Sequence, residues 1–290
     1  MSSKNVALVL GSGGARGLAH IGAIEAIEER GYTITSIAGC SMGSIIAGMY
    51  AAGQLKEAKE WFLRVDKQLI LRMMDINLLS VNSLVKGERI IKELETVVPD
   101  RPIEELNIPC SIVASDMQNT EEVLFRSGSL FEAVRASISI PLFFEPVQKG
   151  HRLLIDGGIL NPLPLHIVER KEGDILVAMD ISGKDSMPDD GQTNVPFKIL
   201  ETPMAKVQQL RRVNFFSILD RMSDMQIQQN TLLSLRLTPP DVHAVMRQYA
   251  YNTFDFDKAE EIISEGKRIM HEALEKYELT SAQEPRNIRE

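Results

Sequence analysis

Gly39-Cys40-Ser41-Met42-Gly43 stands between a strand-like run, Ile34–Ala38, and a helix-patterned stretch, Met42–Ala52, that stops at Gly53. The pentapeptide fits G-x-S-x-G. A strand before it and a helix after it are the context in which a serine is held at the tip of a strained turn. Glycines two residues to either side remove side chains that would clash in so tight a turn. The helix that begins at Met42 aims its partial positive end at the serine. Ser41 is therefore the candidate nucleophile, set against the plainer reading of a Gly-Ser turn that precedes a helix. Cys40, inside the motif, is expected to point away from the site and to pack as a small buried residue.

Towards the N-terminus, Val6–Leu10 reads as a buried strand. Arg16–Arg30 reads as a helix, with Leu18, Ile21, Ile24 and Ile27 near one face and Gly31 as its stop. Strand, helix, strand, helix in succession is the signature of an α/β fold with a mostly parallel sheet. The loop between the first strand and helix is Gly11-Ser12-Gly13-Gly14-Ala15-Arg16-Gly17. A dinucleotide-binding fingerprint would need glycine where Arg16 stands and an acidic residue after Ile34–Ala38. A P-loop would need G-K-[ST]. Two readings remain: an oxyanion loop with the Gly13 and Gly14 N–H groups unobstructed, or a turn that lets the first helix pack closely. Arg16 either steers an anionic group or anchors the loop.

Beyond the serine, residues 55–98 read as helices with a break near Asn77–Ser83. Cys110–Ser115, Glu121–Arg126, Arg152–Ile155 and Asp174–Ile181 read as strands. Ser129–Ser137 reads as a helix that Pro141 prevents from continuing. Residues 182–195 read as a surface loop, and 197–217 and 218–230 as helices. Leu232–Leu237 reads as a late strand, Asp257–Tyr277 as an amphipathic helix, and the tail beyond Thr280 as frayed. With no linker in view, residues 1–290 are expected to form a single domain, with a motif-bearing core at 6–181 and a helical C-terminal extension at about 197–277.

Composition narrows the function classes. Of 290 residues, 44% are hydrophobic and 25% charged, which excludes a disordered or fibrous chain. Lys plus Arg is 32 against 40 for Asp plus Glu, and a net charge of −8 argues against a nucleic-acid binder. Two cysteines cannot build a disulfide framework or a Cys-rich zinc site, and no cofactor is expected. No window approaches ~18 continuous apolar residues, and the N-terminal run is too short for a signal-peptide core. The expected compartment is the cytosol. Two stretches are locally basic and apolar: Trp61–Met74, with Arg64, Lys67 and Arg72 against Asp66, and Lys206–Arg221, with Lys206, Arg211, Arg212 and Arg221 against Asp220. They suit peripheral contact with an anionic membrane, and equally a core-facing helix.

A serine hydroxyl needs a general base. The five histidines are His20, His151, His166, His243 and His271. None carries a motif or an orienting carboxylate, and those after Ser41 read as surface or satisfied groups. Asp156 ends a strand and is followed by Gly157-Gly158, so it is able to approach another backbone closely and take the serine proton directly. The same residues also spell an ordinary Asp-Gly-Gly turn.

Ser12-Gly13-Gly14-Ala15-Arg16-Gly17, Gly39-Cys40-Ser41-Met42-Gly43, Ala136-Ser137-Ile138-Ser139-Ile140-Pro141 and Asp156-Gly157-Gly158, in that order, resemble the motifs of the patatin-like phospholipase family. Ser12 departs from the glycine many members carry there. The resemblance spans residues 6 to about 181 and implies a three-layer α/β sandwich with a mostly parallel central sheet. It implies a serine acyl hydrolase, cleaving fatty-acyl esters of (lyso)phospholipids or related lipids through a Ser41–Asp156 dyad and an acyl-enzyme. The N–H groups of Gly13, Gly14 and Ala15 would hold the oxyanion, and no metal would be needed. Arg16 and Met42, beside these groups, are expected to contact substrate. The alternative is a regulatory or scaffold protein that keeps the fold and little or no activity.

Overall fold

The computed structural model describes residues 4–66, 69, 87–141, 143–184 and 215–283. In chain order the elements are β1 (Asn5–Leu10), α1 (Ala19–Glu29), β2 (Thr33–Cys40), α2 (Met42–Ala51), α3 (Leu55–Phe62), α4 (Glu88–Glu95), β3 (Cys110–Asp116), β4 (Glu121–Phe125), α5 (Leu130–Ser137), β5 (Val147–Lys149), β6 (Arg152–Asp156), β7 (Ile175–Gly183), α6 (Phe215–Leu237), β8 (Val242–Arg247) and α7 (Ala259–Gln283). The eight strands form one sheet in the order β5-β6-β3-β2-β1-β7-β8, with β4 paired to β3. From β3 to β8 the pairings are parallel, while β4, β5 and β6 join antiparallel.

Alternation along the central strands explains the two sheet faces. Val6, Leu8 and Leu10 of β1 enter a large core with α1, α2, α5 and α7. Ala7 and Val9 point the other way, into a thinner cluster with Ala38, Cys40, Ala178 and the irregular stretch Leu163–Val168, on which Leu235 of α6 also packs. The result is a three-layer α/β sandwich with one thick helical layer and one thin one. Each fully buried Leu or Ile of the thick side, such as Leu8, Leu10 and Ile24, contributes about 1.5–3 kcal/mol.

The first two strands and helices match the sequence reading, apart from the start of the first helix. Gly14–Leu18 is a 3-10 turn, and α1 begins only at Ala19. The glycine loop is thus kept out of the regular helix. The late strand expected at Leu232–Leu237 is instead the end of α6, with Leu232, Leu233 and Leu237 exposed. The strand lies beyond the two prolines, at Val242–Arg247, where buried and exposed residues alternate strictly. An apolar run alone does not separate helix from strand, and packing on β7 decided it. Residues 67–68, 70–86 and 185–214 lie outside the described residues, and with them the predicted helix break near 77–83, nearly all of the loop at 182–195 and nearly all of the helix at 197–217. The basic residues Lys67, Arg72, Lys206, Arg211 and Arg212 of the two amphipathic stretches, and the side chains of 215–220, lie outside them too. Within the first stretch, Phe62 is buried in the core and Trp61 packs against it partly covered, so these two residues follow the core-facing reading. Among the described residues, no helix is long and apolar enough to cross a membrane.

Candidate active site

Ser41 sits between β2 and α2 with φ 54° and ψ −124°, a conformation that L-residues avoid unless the surroundings impose it. The surroundings are backbone. A Cβ on Gly39 would lie 2.3 Å from the Gly43 carbonyl oxygen, and one on Gly43 would lie 2.4 Å from that of Leu10. The two flanking glycines are therefore demanded by space. Gly43→Ala is expected to lower stability by about 1–3 kcal/mol through overpacking, measured as a fall in the urea midpoint. Ser41 is also the residue that precedes α2, yet its hydroxyl does not cap the helix. Its carbonyl accepts from the Ser44 amide at 2.8 Å and from the Ser44 hydroxyl at 2.6 Å. Its own amide donates to Ser137 Oγ at 2.9 Å, and Ser137 in turn donates to the Val113 carbonyl at 2.7 Å.

The free hydroxyl of Ser41 donates to Asp156 Oδ2 at 2.6 Å. Sheet pairing accounts for this meeting. β2 pairs with β3 up to Cys40 opposite Val113, and β6 pairs with β3 from Asp156 opposite Ala114. The other edge of β3 is occupied by β4 over the same residues. So β2 and β6 share one edge of β3, run in opposite directions, and end against each other. Ser41 is one residue past the end of one, and Asp156 is the last residue of the other. Gly157 and Gly158 make that close approach feasible: a Cβ on Gly157 would lie 2.4 Å from the Val113 carbonyl oxygen, and one on Gly158 would lie 2.7 Å from Ser12 Oγ.

Asp156 is 5% exposed. Its amide donates to the Ser139 carbonyl at 2.9 Å, and its Oδ1 accepts from the Gly158 amide at 2.7 Å. Burial raises its pKa to about 6, partly offset by the hydrogen bonds from Ser41 and Gly158. That shift makes the carboxylate a better proton acceptor than an exposed aspartate, while leaving it ionised at neutral pH.

Next to this pair runs the glycine loop. Gly11 and Ser12 donate their amides to the carbonyls of Met179 and Pro162, at 3.1 and 2.8 Å. Among the described residues, the amides of Gly13 and Gly14 have no protein acceptor. Gly14 adopts φ +58° and lines the same cleft as Ser41. Ala15 is a correction to the expected oxyanion donors: its N–H is engaged by the Thr253 carbonyl at 2.8 Å. Arg16 is corrected too. It is buried, with Nε on the Ile181 carbonyl at 3.0 Å and Nη1 on that of Tyr251 at 2.9 Å, so it anchors the loop and does not reach for substrate. Buried His20 donates Nε2–H to the Gly11 carbonyl at 2.8 Å, and burial pushes its pKa down to about 4, which keeps the ring neutral.

Ser41 opens into a cleft of about 100 Å³. Met42, Ile45, Phe62, Val65, Leu94, Ile138 and Phe144 form its buried part. Trp61, Ile90, Ile140, Thr253, Phe254 and Phe256 are only partly covered and mark the mouth. Apart from Ser41 and Thr253, the lining side chains are apolar. Met42, expected to contact substrate, lines this cleft beside Ser41.

None of the other four histidines replaces Asp156. His151 is exposed, His166 lies 3.5 Å from Glu122, His243 is 3.3 Å from Asp180, and His271 is 3.2 Å from Glu29. Cys40 is buried in the thin layer, and burial raises its thiol pKa well above the ordinary range. Among the described residues, no cluster of three or more His, Cys, Asp or Glu side chains is placed to hold a metal. Ser137 had only the Ala136–Pro141 segment as a signal, and its hold on the Ser41 amide is a tertiary fact. Thr253, Phe254 and Phe256 had none.

Comparison with known proteins gives a family and several relatives. A family model for patatin-like phospholipase matches residues 8–168. An uncharacterized NTE family protein of Mycobacterium tuberculosis is 40% identical over 222 residues, 76% of this chain and 61% of that protein. Patatin-like phospholipase domain-containing protein 6 of Homo sapiens is 33% identical over 193 residues, 64% of this chain and 14% of that protein. Among solved structures, VipD from Legionella pneumophila aligns at a TM-score of 0.49 and 15% identity, covering 96% of this chain and 67% of that one. The chain thus spans 61% of the length of the mycobacterial relative.

Proposed function

The chain belongs to the patatin-like phospholipase family, and from that premise we propose that it is a serine acyl hydrolase acting on lipid acyl esters through Ser41 and Asp156. The observation that carries this reading is the 2.6 Å hydrogen bond from the Ser41 hydroxyl to the buried Asp156 carboxylate, at the edge of an apolar cleft. An acyl chain lies in the cleft with its ester carbonyl at Ser41. As Ser41 Oγ bonds to the carbonyl carbon, its proton passes to Asp156 Oδ2. The amides of Gly13 and Gly14 receive the negative charge that develops on the carbonyl oxygen. Collapse breaks the bond to the leaving alkoxide, which takes the proton from Asp156 and departs as the alcohol. A water then gives a proton to Asp156, attacks the acyl-enzyme, and the fatty acid leaves as Ser41 regains its hydrogen.

The apolar lining supports a fatty-acyl rather than a short polar substrate. Contact with a membrane surface fits such a substrate, because the lipid must be drawn from an aggregate. The direct test is turnover of a series of lipid and p-nitrophenyl esters, combined with labelling by a fluorophosphonate and mass measurement of the adduct. Turnover, and an adduct on Ser41, are expected. A wild type that neither turns over any ester nor labels would leave the fold as a binding scaffold and overturn the proposal.

The pH dependence follows from Asp156. Only the carboxylate accepts the serine proton, and its pKa lies at about 6. The kcat/KM of the wild type is therefore expected to rise about tenfold per pH unit below that value and to level off above it. A profile flat between pH 4.5 and 8 would remove Asp156 from the mechanism.

A further inference from the structure

Tyr251–Phe256 lies outside the family-matched residues 8–168 and joins β8 to α7. It meets the glycine loop at three points. The Thr253 carbonyl takes the Ala15 amide at 2.8 Å, and the Tyr251 carbonyl takes Arg16 Nη1 at 2.9 Å. A Cβ on Gly14 would lie 2.6 Å from both Cγ2 and the carbonyl oxygen of Thr253. Arg16 also reaches β7 through the Ile181 carbonyl, so one guanidinium ties segment, loop and sheet together. The same segment turns Thr253, Phe254 and Phe256 into the cleft, at its mouth. It is braced from within. Asp255 accepts from the Asn252 amide at 3.2 Å and from Lys258 Nζ at 2.7 Å, and the Phe254 ring packs on Phe143 with centroids 5.2 Å apart. It is also held from behind, because α7 crosses α1 at contact distance: a Cβ on Gly22 would lie 1.9 Å from the Ile263 carbonyl oxygen.

We propose that Tyr251–Phe256 is a strap that fixes the direction of the Gly13 and Gly14 amides and, through Phe254, sets which acyl chains the cleft selects. The inference rests on the acyl-hydrolase reading above and adds residues to it. Two consecutive glycines are free to swing their amides, and an oxyanion site works only when its donors are already aimed. Pinning the next two residues from outside the loop removes that freedom. Asp255, which shapes the strap without touching substrate, is then a positioning residue. Phe254 contacts the acyl chain. An acetyl group reaches only the residues around Ser41, whereas a long chain must cover the rest of the lining, Phe254 included.

The experiment measures kcat and KM on p-nitrophenyl esters from acetate to palmitate, with melting temperatures as a folding check. Phe254→Ala is expected to lower kcat/KM for the long esters at least about tenfold more than for the acetate, since the aromatic surface that a long chain would cover is worth that much. Asp255→Ala is expected to lower kcat about tenfold at every chain length with little change in KM, and Asp255→Asn, which keeps an acceptor for the Asn252 amide, to restore most of it. The strap is overturned if wild type is active and Phe254→Ala changes all esters equally, or if Asp255→Ala keeps wild-type kcat. A wild type inert on every ester fails earlier, at the hydrolase reading itself, and takes the strap with it.

Discussion

Ser41→Ala is expected to abolish ester hydrolysis, with kcat/KM falling by at least ~10³-fold, and to eliminate fluorophosphonate labelling. Among the described residues, no other group stands ready to replace it. Cys40 is buried in the opposite layer with its thiol pKa raised, and among the described residues Ser41 is the side chain whose hydroxyl donates to Asp156. The loss is chemical and not structural. The strained backbone at φ 54° is set by Gly39 and Gly43 and by the Ser41 amide and carbonyl bonds, all of which alanine keeps. Ser41→Gly provides the complement: equal loss of activity, with stability higher than that of the alanine variant by about 1 kcal/mol, because glycine accepts positive φ. An alanine variant that still labels would move the nucleophile elsewhere.

Asp156→Asn is expected to cost about 10³–10⁴-fold in kcat, because the amide retains the shape of the carboxylate and accepts no proton. The same change is expected to stabilise the fold at neutral pH. Burial raises the Asp156 pKa to about 6, while an unfolded aspartate keeps the ordinary value near 3.8. Between those two values the folded state holds the proton more tightly than the unfolded state. Wild-type stability is therefore fully supported below about pH 4, declines as pH rises through about 6, and stays lower above it. A shift of this size corresponds to something on the order of 3 kcal/mol. Asparagine has no such dependence, so its stability advantage over wild type should grow from pH 4 to pH 7 and then level off. Denaturant unfolding at several pH values measures this. Equal or lower stability of Asp156→Asn at pH 7 would show that the buried carboxylate is not under the strain assigned to it. Higher stability of Asp156→Asn together with lost turnover would be a stability–activity trade-off at one residue.

Much of this was legible in the chain, for local reasons. The β1–α1–β2–α2 unit follows from apolar runs ended by glycine, and the G-x-S-x-G turn from a strand, a serine and a helix in immediate succession. The Asp156-Gly157-Gly158 pattern alone leaves Asp156 open between a base and an ordinary turn, because residues 41 and 156 are far apart in sequence, and it is the family resemblance that implies the base. Arg16 was equally balanced between anchor and substrate contact, since a positive charge on a glycine loop suits both. The run at 232–237 misled, because leucines at close spacing fit a strand and a helix alike. The edge strand, Val242–Arg247, follows Pro239 and Pro240, which in the sequence read as the end of an element.

Local pattern is therefore enough for the β1–α1–β2–α2 unit, the G-x-S-x-G turn and the family motifs, since each depends on residues within a few positions of one another. Which groups share the site depends on tertiary pairing. Asp156 reaches Ser41 because β2 and β6 abut on one edge of β3. The Ala15 amide and the Arg16 side chain, expected as an oxyanion donor and a substrate contact, are engaged instead by carbonyls of a segment more than two hundred residues later. Those are pairings across the chain, fixed by register and by backbone hydrogen bonds that no local pattern encodes.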